Sequence, residues 1–387
     1  MREKQLLPWV VVGLVAALVL VTALWTLDHI DHSTAVATTT EGDVQAIEWK
    51  LVTTWPKGLP GLGAAPENFA RRVNEASGGR LHIKVFGAGE IVPAFEVFDA
   101  VSRGVAEAGH GASYYWKGKI PASVFFTAVP FGMTAQEANG WLHYGGGLPL
   151  WRELYAPFGV VPFAGGSTGV QMAGWFNKRL DGRADLAGLK MRIPGLAGEV
   201  FDAAGGSAVR IAGGEVYTSM QTGVIDAVEW VGPYNDRTLG LMEVGEYYYY
   251  PGWHEPGAML ETIVNAEALA ALPEDLQAIV KIAARATNTD MLDDFTANNS
   301  ESLQILLRDF STAVLPLPND IMDALYEQSQ IAIQTLVDSD PMAKKIAESY
   351  FAFAEKVRTY HEISERAYLN ARDRLLPPVS LTAESRE

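Results

Sequence analysis

Cysteine is absent from the 387 residues, which excludes disulfides, thiolate metal ligands and cysteine nucleophiles together. Basic residues are few: 30 Lys and Arg stand against 46 Asp and Glu, a formal net charge of −16, and no basic patch is concentrated anywhere in the chain. Such a molecule repels polyphosphates and anionic lipid surfaces, so no nucleic-acid partner is expected. A glycine-rich phosphate loop, an HExxH pair and a Ser/His/Asp arrangement are missing as well. Internal repeats and low-complexity segments are also lacking.

What is present is an ordinary globular composition, 48% hydrophobic and 20% charged, with enough length for two domains and a sizeable core. The N-terminus has the order of an export signal: Arg2 and Lys4, an almost wholly apolar run at 8–27, polar residues, then Ala35-Val36-Ala37 with Ala37 at the expected cleavage point. The run is also about as long as a bilayer-spanning helix, so an uncleaved anchor is the alternative. With the basic residues before it and Asp28 and Asp31 after it, both readings place the rest of the chain outside the cytoplasm.

Residues 38–46 are small, polar and acidic, as in a linker. Residues 49–53 and 81–86 have strand patterns and 66–76 a helical one, an order that implies a parallel βαβ unit. A helix at 95–104, a small-residue segment at 106–113 and a loop carrying Tyr114, Tyr115 and Trp116 follow. Residues 159–168 and 171–177 are expected as strands of a second sheet. Residues 273–308, and again 318 to the end, are mainly helical, and 341–375 sets Ile346, Tyr350, Phe353 and Val357 along one stripe.

The stretch 213–236, GGEVYTSMQTGVIDAVEWVGPYND, is the most telling. Val216, Tyr217, Met220 and Val224 recur at helical spacing, and Gly223 stands where a helix stops in a left-handed cap. A short buried strand at 225–231 then delivers Glu229 and Trp230 to a loop. Residues just past the carboxyl end of a strand line the ligand crevice of open α/β sheets.

Arg192, before Ile193-Pro194-Gly195, is expected at a strand edge facing the same cleft. Its guanidinium offers a planar fork that fits a carboxylate, where lysine offers only a point charge.

In this order, and together with WPKGLPGLG at 55–63, FGAGEIVPAFEVFDAVSRGVAEAGHGASYYW at 86–116, GGSTGVQMAGWF at 165–176, LAGLKMRIPG at 186–195 and YYYYPGWHEPG at 247–257, the chain resembles the substrate-binding proteins of tripartite ATP-independent periplasmic (TRAP) transporters. The resemblance is narrower, to the branch that binds 2-oxo and 2-hydroxy monocarboxylates with a metal ion.

The resemblance implies an α/β, two-lobed periplasmic-binding-protein-like fold: two βα domains joined by a hinge, at 47–168 plus about 257–310 and 169–256 plus about 311–340, with a C-terminal helix and tail at 341–387. It implies that Arg192 holds the ligand carboxylate. Gln171, Glu229, the main-chain oxygen of Trp230 and Glu255 would hold one cation, sodium or calcium, both of which take oxygen donors. Tyr115 is favoured over Tyr114 as a ligand contact, and Asn235 is a further one. The tail helix implies a homodimer, packing on the helix's own chain being the alternative. The partners implied are a small carboxylate ligand and the membrane permease subunits.

Charge counting supports the cation. Two ionised glutamates and a carboxylate ligand against Arg192 alone leave about two uncompensated negative charges in a closed cleft, at a cost of several kcal/mol. Two readings compete with capture of a small 2-oxo or 2-hydroxy acid such as pyruvate, lactate or a branched 2-oxo acid. One is binding of a dicarboxylate or sugar acid; the other is an exported hydrolase using Glu229 and Glu255 as an acid and base pair.

Overall fold

The structure, a computed structural model, describes residues 16–22, 46–310 and 312–377, and falls into two units, Met1–Ala46 and Ile47–Glu387. Of the first unit only a helical segment at 16–22 and Ala46 are described; the rest of the expected export signal or anchor, and the rest of the linker, lie outside the described residues. No helix among the described residues is long and apolar enough to cross a membrane.

The second unit is α/β. Its strands in chain order are β1 (Ile47–Thr53), β2 (Leu81–Phe86), β3 (Ala108–Gly111), β4 (Val160–Ser167), β5 (Gly174–Phe176), β6 (Lys190–Arg192), β7 (Ser207–Val209), β8 (Ala227–Val228), β9 (Tyr247–Tyr250), β10 (Met259–Asn265) and β11 (Ala313–Pro316). They form two sheets, in the orders β2-β1-β3-β10-β4 and β11-β9-β5-β8-β6-β7.

The expected βαβ unit is there. β1 pairs with β2 in parallel, Trp49 opposite Ile83, joined by the helix Ala64–Ala76, which buries Ala65, Phe69, Ala70 and Val73 along one stripe. Burying a Phe or Val of this kind contributes about 1.5–3 kcal/mol. The expected helix at 95–104 is a 3-10 turn Ala94–Glu96 followed by an α-helix Val97–Ser102, ended before Gly104, whose φ is +70°.

One expectation fails. The strand at 159–168 belongs to the first sheet, where β4 lies antiparallel to β10 with Phe163 opposite Thr262; only β5 starts the second sheet. A strand pattern carries no information about its partner, and β10 lies about a hundred residues downstream.

The chain passes between the sheets three times, at 168–173, at 251–258 and through the long helix Glu274–Asp309 that leads from β10 towards β11; the first two segments run side by side. Gln171 N–H donates to Glu255 O (3.2 Å), Gly252 N–H to Gln171 O (2.9 Å) and Thr168 N–H to Ala258 O (3.1 Å). The contact is close: a Cβ on Gly252 would lie 2.3 Å from Gln171 O.

The helix Pro341–Ile363 is separated from a second one, Glu365–Leu375, at Ser364. Its first half packs on its own chain: Ile346 and Tyr350 are buried, Met133 N–H donates to Tyr350 Oη (2.8 Å), and the Tyr350 ring meets Trp141 edge-on at 5.1 Å. Farther along, Tyr360, Ile363 and Tyr368 are exposed.

Candidate functional site

β6 and β8 lie parallel with Arg192 opposite Val228, so both present their carboxyl ends to one place. Arg192 closes β6, and Glu229 and Trp230 follow β8 directly. The helix feeding β8 is Val216–Gln221, and Gly223 does adopt φ +70°, the conformation glycine takes without steric cost. The strand expected at 225–231 keeps only Ala227–Val228 in the ladder; Glu229 onward leaves it to line the cleft. Gln171 and Glu255 come from the two paired crossing segments.

Arg192 is buried and its fork is mostly occupied. Nη1 donates to Glu229 O (2.7 Å) and Oε2 (2.9 Å), Nε to Ile211 O (3.3 Å), and Nη2 to Tyr115 Oη (3.4 Å). The expected two-pronged grip on a ligand therefore leaves only the Nη2 side of the guanidinium. Its plane also lies against Trp230, with Cζ 4.8 Å from the ring centroid.

Gln171 Nε2 donates to Glu255 Oε2 (2.8 Å) and to Thr168 Oγ1 (3.2 Å). Burial, reinforced by the nearby Glu229 carboxylate and opposed by Arg192, pushes the Glu255 carboxyl well above its ordinary range. Burial and the Glu255 charge likewise raise Tyr114, and burial raises Tyr115, so both hydroxyls stay protonated donors.

Two buried oxygens, Gln171 Oε1 and Glu229 Oε1, accept no hydrogen bond. Glu229, His254 and Glu255 each place one donor atom within 4.8 Å of the others. Orphaned oxygens beside two buried carboxylates are what a hard cation resolves, so the residues present fit such an ion.

The lining of the site is Trp55, Leu62, Tyr114, Tyr115, Thr168 and Leu260 from the first-sheet side, with Gln171, Arg192, Trp230, Val231 and Glu255 completing it. The volume open to the centre of a water-sized sphere is about 10 Å³, near the least that holds one water. The halves are closed on each other. At the outer edge Lys117 pairs with Glu199, and Arg210 Nη1 donates to Tyr115 O (3.2 Å) while its Cζ lies 4.2 Å from the Phe95 ring centroid.

Residues 51–340 match the bacterial extracellular solute-binding proteins, family 7. The chain belongs to that family. As a family 7 solute-binding protein it is 43% identical over 324 residues, 84% of this chain and 88% of the relative, to a monocarboxylate 2-oxoacid-binding periplasmic protein of Nostoc sp.. Two solved structures superpose on it with a TM-score of 0.82 at 40% identity. One is a TRAP periplasmic solute-binding protein of Colwellia psychrerythraea with bound calcium and pyruvate, covering 84% of this chain and 100% of that one. The other, of Pseudoalteromonas atlantica, has bound sodium and pyruvate and covers 84% and 99%.

Of the residues singled out in the sequence, this solute-binding protein brings Gln171, Arg192, Glu229, Trp230, Glu255 and Tyr115 together. Asn235 is buried but outside the lining; its Nδ2 donates to Pro60 O (2.7 Å), tying the 233–238 helix to the 55–63 loop. Trp175 does not line the site either. Its indole stacks on Tyr248 and donates to Asp236 (3.1 Å). Tyr248 and Tyr249 point to opposite faces, as strand alternation requires, and neither reaches the ligand space.

One residue of the site that the sequence analysis did not single out is His254. It is buried, both ring nitrogens lack hydrogen-bond partners, and Nε2 lies 3.5 Å from Glu229 Oε1. The available signal was the dipeptide His254-Glu255 itself, but its neighbour Glu229 is supplied only by the fold.

Proposed function

We propose that the chain is the extracytoplasmic capture component of a TRAP transporter, closing on a small 2-oxo or 2-hydroxy monocarboxylate, with pyruvate the leading candidate, held through one bound sodium or calcium ion. The observation that carries this is the buried Arg192–Glu229–Glu255–Gln171 cluster, with its two orphaned oxygens, inside a cleft shut to about one water's volume. Gln171, Glu229, Glu255 and the Trp230 carbonyl would hold the ion, and it would neutralise the glutamates and fix the acid's oxygens. Arg192 Nη2 and the Tyr114 and Tyr115 hydroxyls orient the carboxylate, and Trp55, Leu62, Leu260, Trp230 and Val231 exclude water from the tail.

The two sheets with their helices are the two lobes, hinged at 168–173 and 251–258, and the N-terminal 1–37 segment exports or tethers the protein at the periplasmic side of the membrane. Permease subunits receive the solute, and exposed Tyr360, Ile363, Tyr368 and Leu369 on the tail support pairing of two copies.

The test is a thermal melt of chelator-treated protein with pyruvate, with calcium or sodium, and with both. Capture requires pyruvate to raise the melting temperature only when the ion is present. Equal shifts without any ion, or turnover of an aryl glycoside, would overturn it.

A further inference from the structure

His110 lies in β3 and is fully buried, hydrogen-bonds to none of the cation-site side chains, and is absent from the site lining. Its two ring nitrogens join two walls of the ligand space. Trp55 Nε1–H donates to His110 Nδ1 (3.0 Å), and His110 Nε2 is paired with Gly165 O (3.2 Å). Indole is only a donor and a carbonyl only an acceptor. Nδ1 must therefore be bare and Nε2 must carry the hydrogen, which fixes one neutral tautomer. Burial, with the Gly165 bond opposing it, lowers the imidazole to about 4, so this tautomer persists through neutral pH.

Trp55 is 3% exposed. Its ring meets Trp230 edge-on at 6.3 Å and Tyr115 at 5.9 Å, and it forms part of the apolar lining with Leu62 and Leu260. Gly165 is in β4, three residues before Thr168, which lines the same space. No other hydrogen bond holds the indole nitrogen among the described residues.

We infer that His110 is a positioning residue for ligand selection: the relay from Trp55 N–H through the His110 ring to the Gly165 carbonyl locks the Trp55 indole as a fixed stop in the apolar lining, which favours a short tail on the acid over a long or branched one. This rests on the capture reading above. Trp55 acts on the ligand, and His110 acts through Trp55. Without the acceptor at Nδ1 the indole N–H is buried unpaired when the lobes close, so closure is disfavoured for the short ligand and the stop is free to move for a longer one.

The experiment is calorimetry of calcium-loaded protein with pyruvate and with 4-methyl-2-oxopentanoate, for the wild type, His110→Leu, His110→Gln and Trp55→Phe. Histidine 15N shifts and exchange of the Trp55 indole N–H are read from pH 5 to 8. His110→Leu and Trp55→Phe are expected to weaken pyruvate binding about tenfold and to narrow its advantage over the branched acid by a similar factor. His110→Gln, which supplies an oxygen for the indole and an N–H for Gly165, is expected within about twofold of the wild type. The wild-type ring is expected to show a bare Nδ1 and a protonated Nε2 across the range, with a slowly exchanging indole N–H.

Unchanged affinity and selectivity in His110→Leu, or a His110→Gln protein as impaired as His110→Leu, overturns the inference while leaving capture intact. Should His110→Leu not fold, Trp55→Phe and His110→Gln decide by the same criteria. A wild-type protein that binds neither acid with calcium or with sodium overturns the capture reading itself, and this inference with it.

Discussion

Replacing Glu255 by Gln is expected to do two opposite things: stabilise the ion-free protein and abolish its response to calcium. Glu255 and Glu229 are both buried, with donor atoms within 4.8 Å of each other. At an effective dielectric constant of about 20, two like charges at that separation repel by about 3 kcal/mol. Arg192 offsets part of this through Glu229, so a net relief of about 2 kcal/mol is expected, while the amide oxygen still accepts from Gln171 Nε2. At about 2–4 °C per kcal/mol for a domain of 150–250 residues, somewhat less for a larger one, that is a rise of a few degrees in EDTA.

In the wild type, calcium at a hundred times its dissociation constant stabilises by about 2.7 kcal/mol, again several degrees, and in Glu255→Gln this shift should vanish. The two proteins therefore exchange order between EDTA and calcium in a scanning fluorimetry series. A Glu255→Gln protein that melts below the wild type in EDTA, or keeps its calcium shift, refutes the electrostatic reasoning.

Other expectations follow from the same cluster and its surroundings. Burial raises Asp236 and Glu261 to about 7 from ordinary values of 3.8 and 4.5, only partly offset by the hydrogen bonds each accepts. The folded state thus keeps protons that the unfolded chain releases, and stability falls as pH rises from about 4 to 7, by at most roughly 3–4 kcal/mol per group; urea unfolding in EDTA should show the slope, and Asp236→Asn should flatten it. Arg192→Ala strands a buried carboxylate and is expected to lose about 3–5 kcal/mol in chemical unfolding as well as all measurable acid binding. Arg210→Ala removes an exposed contact across the cleft mouth, worth about 0.5–1 kcal/mol, and should speed pyruvate release two- to fivefold in stopped-flow fluorescence with the melting temperature in EDTA unchanged.

How much of this was legible in the sequence depended on whether a feature is local. The helix through Met220, the left-handed Gly223 and the delivery of Glu229 and Trp230 are set by neighbours a few residues apart, and each appears where the pattern put it. The parallel β1–β2 pair was readable because a helix of the right length separates its strands. Sheet membership of 159–168 was not, since its partner β10 is remote. Nor was the fate of the Arg192 fork, because Glu229 takes Nη1 only through a contact between residues 37 positions apart. The stripe Ile346–Tyr350–Phe353 spaced as a helix should, yet spacing alone did not tell packing against Trp141 from packing against a second copy. His254 gained its meaning from a neighbour across the fold.

The two paired crossing segments have a mechanical consequence. Gln171 and Glu255 belong to the very stretches about which the lobes would turn, and points close to a pivot travel least. On the proposed capture reading, an ion seated there would keep most of its oxygen neighbours while the aromatic walls swing away, so the metal would stay while the acid comes and goes.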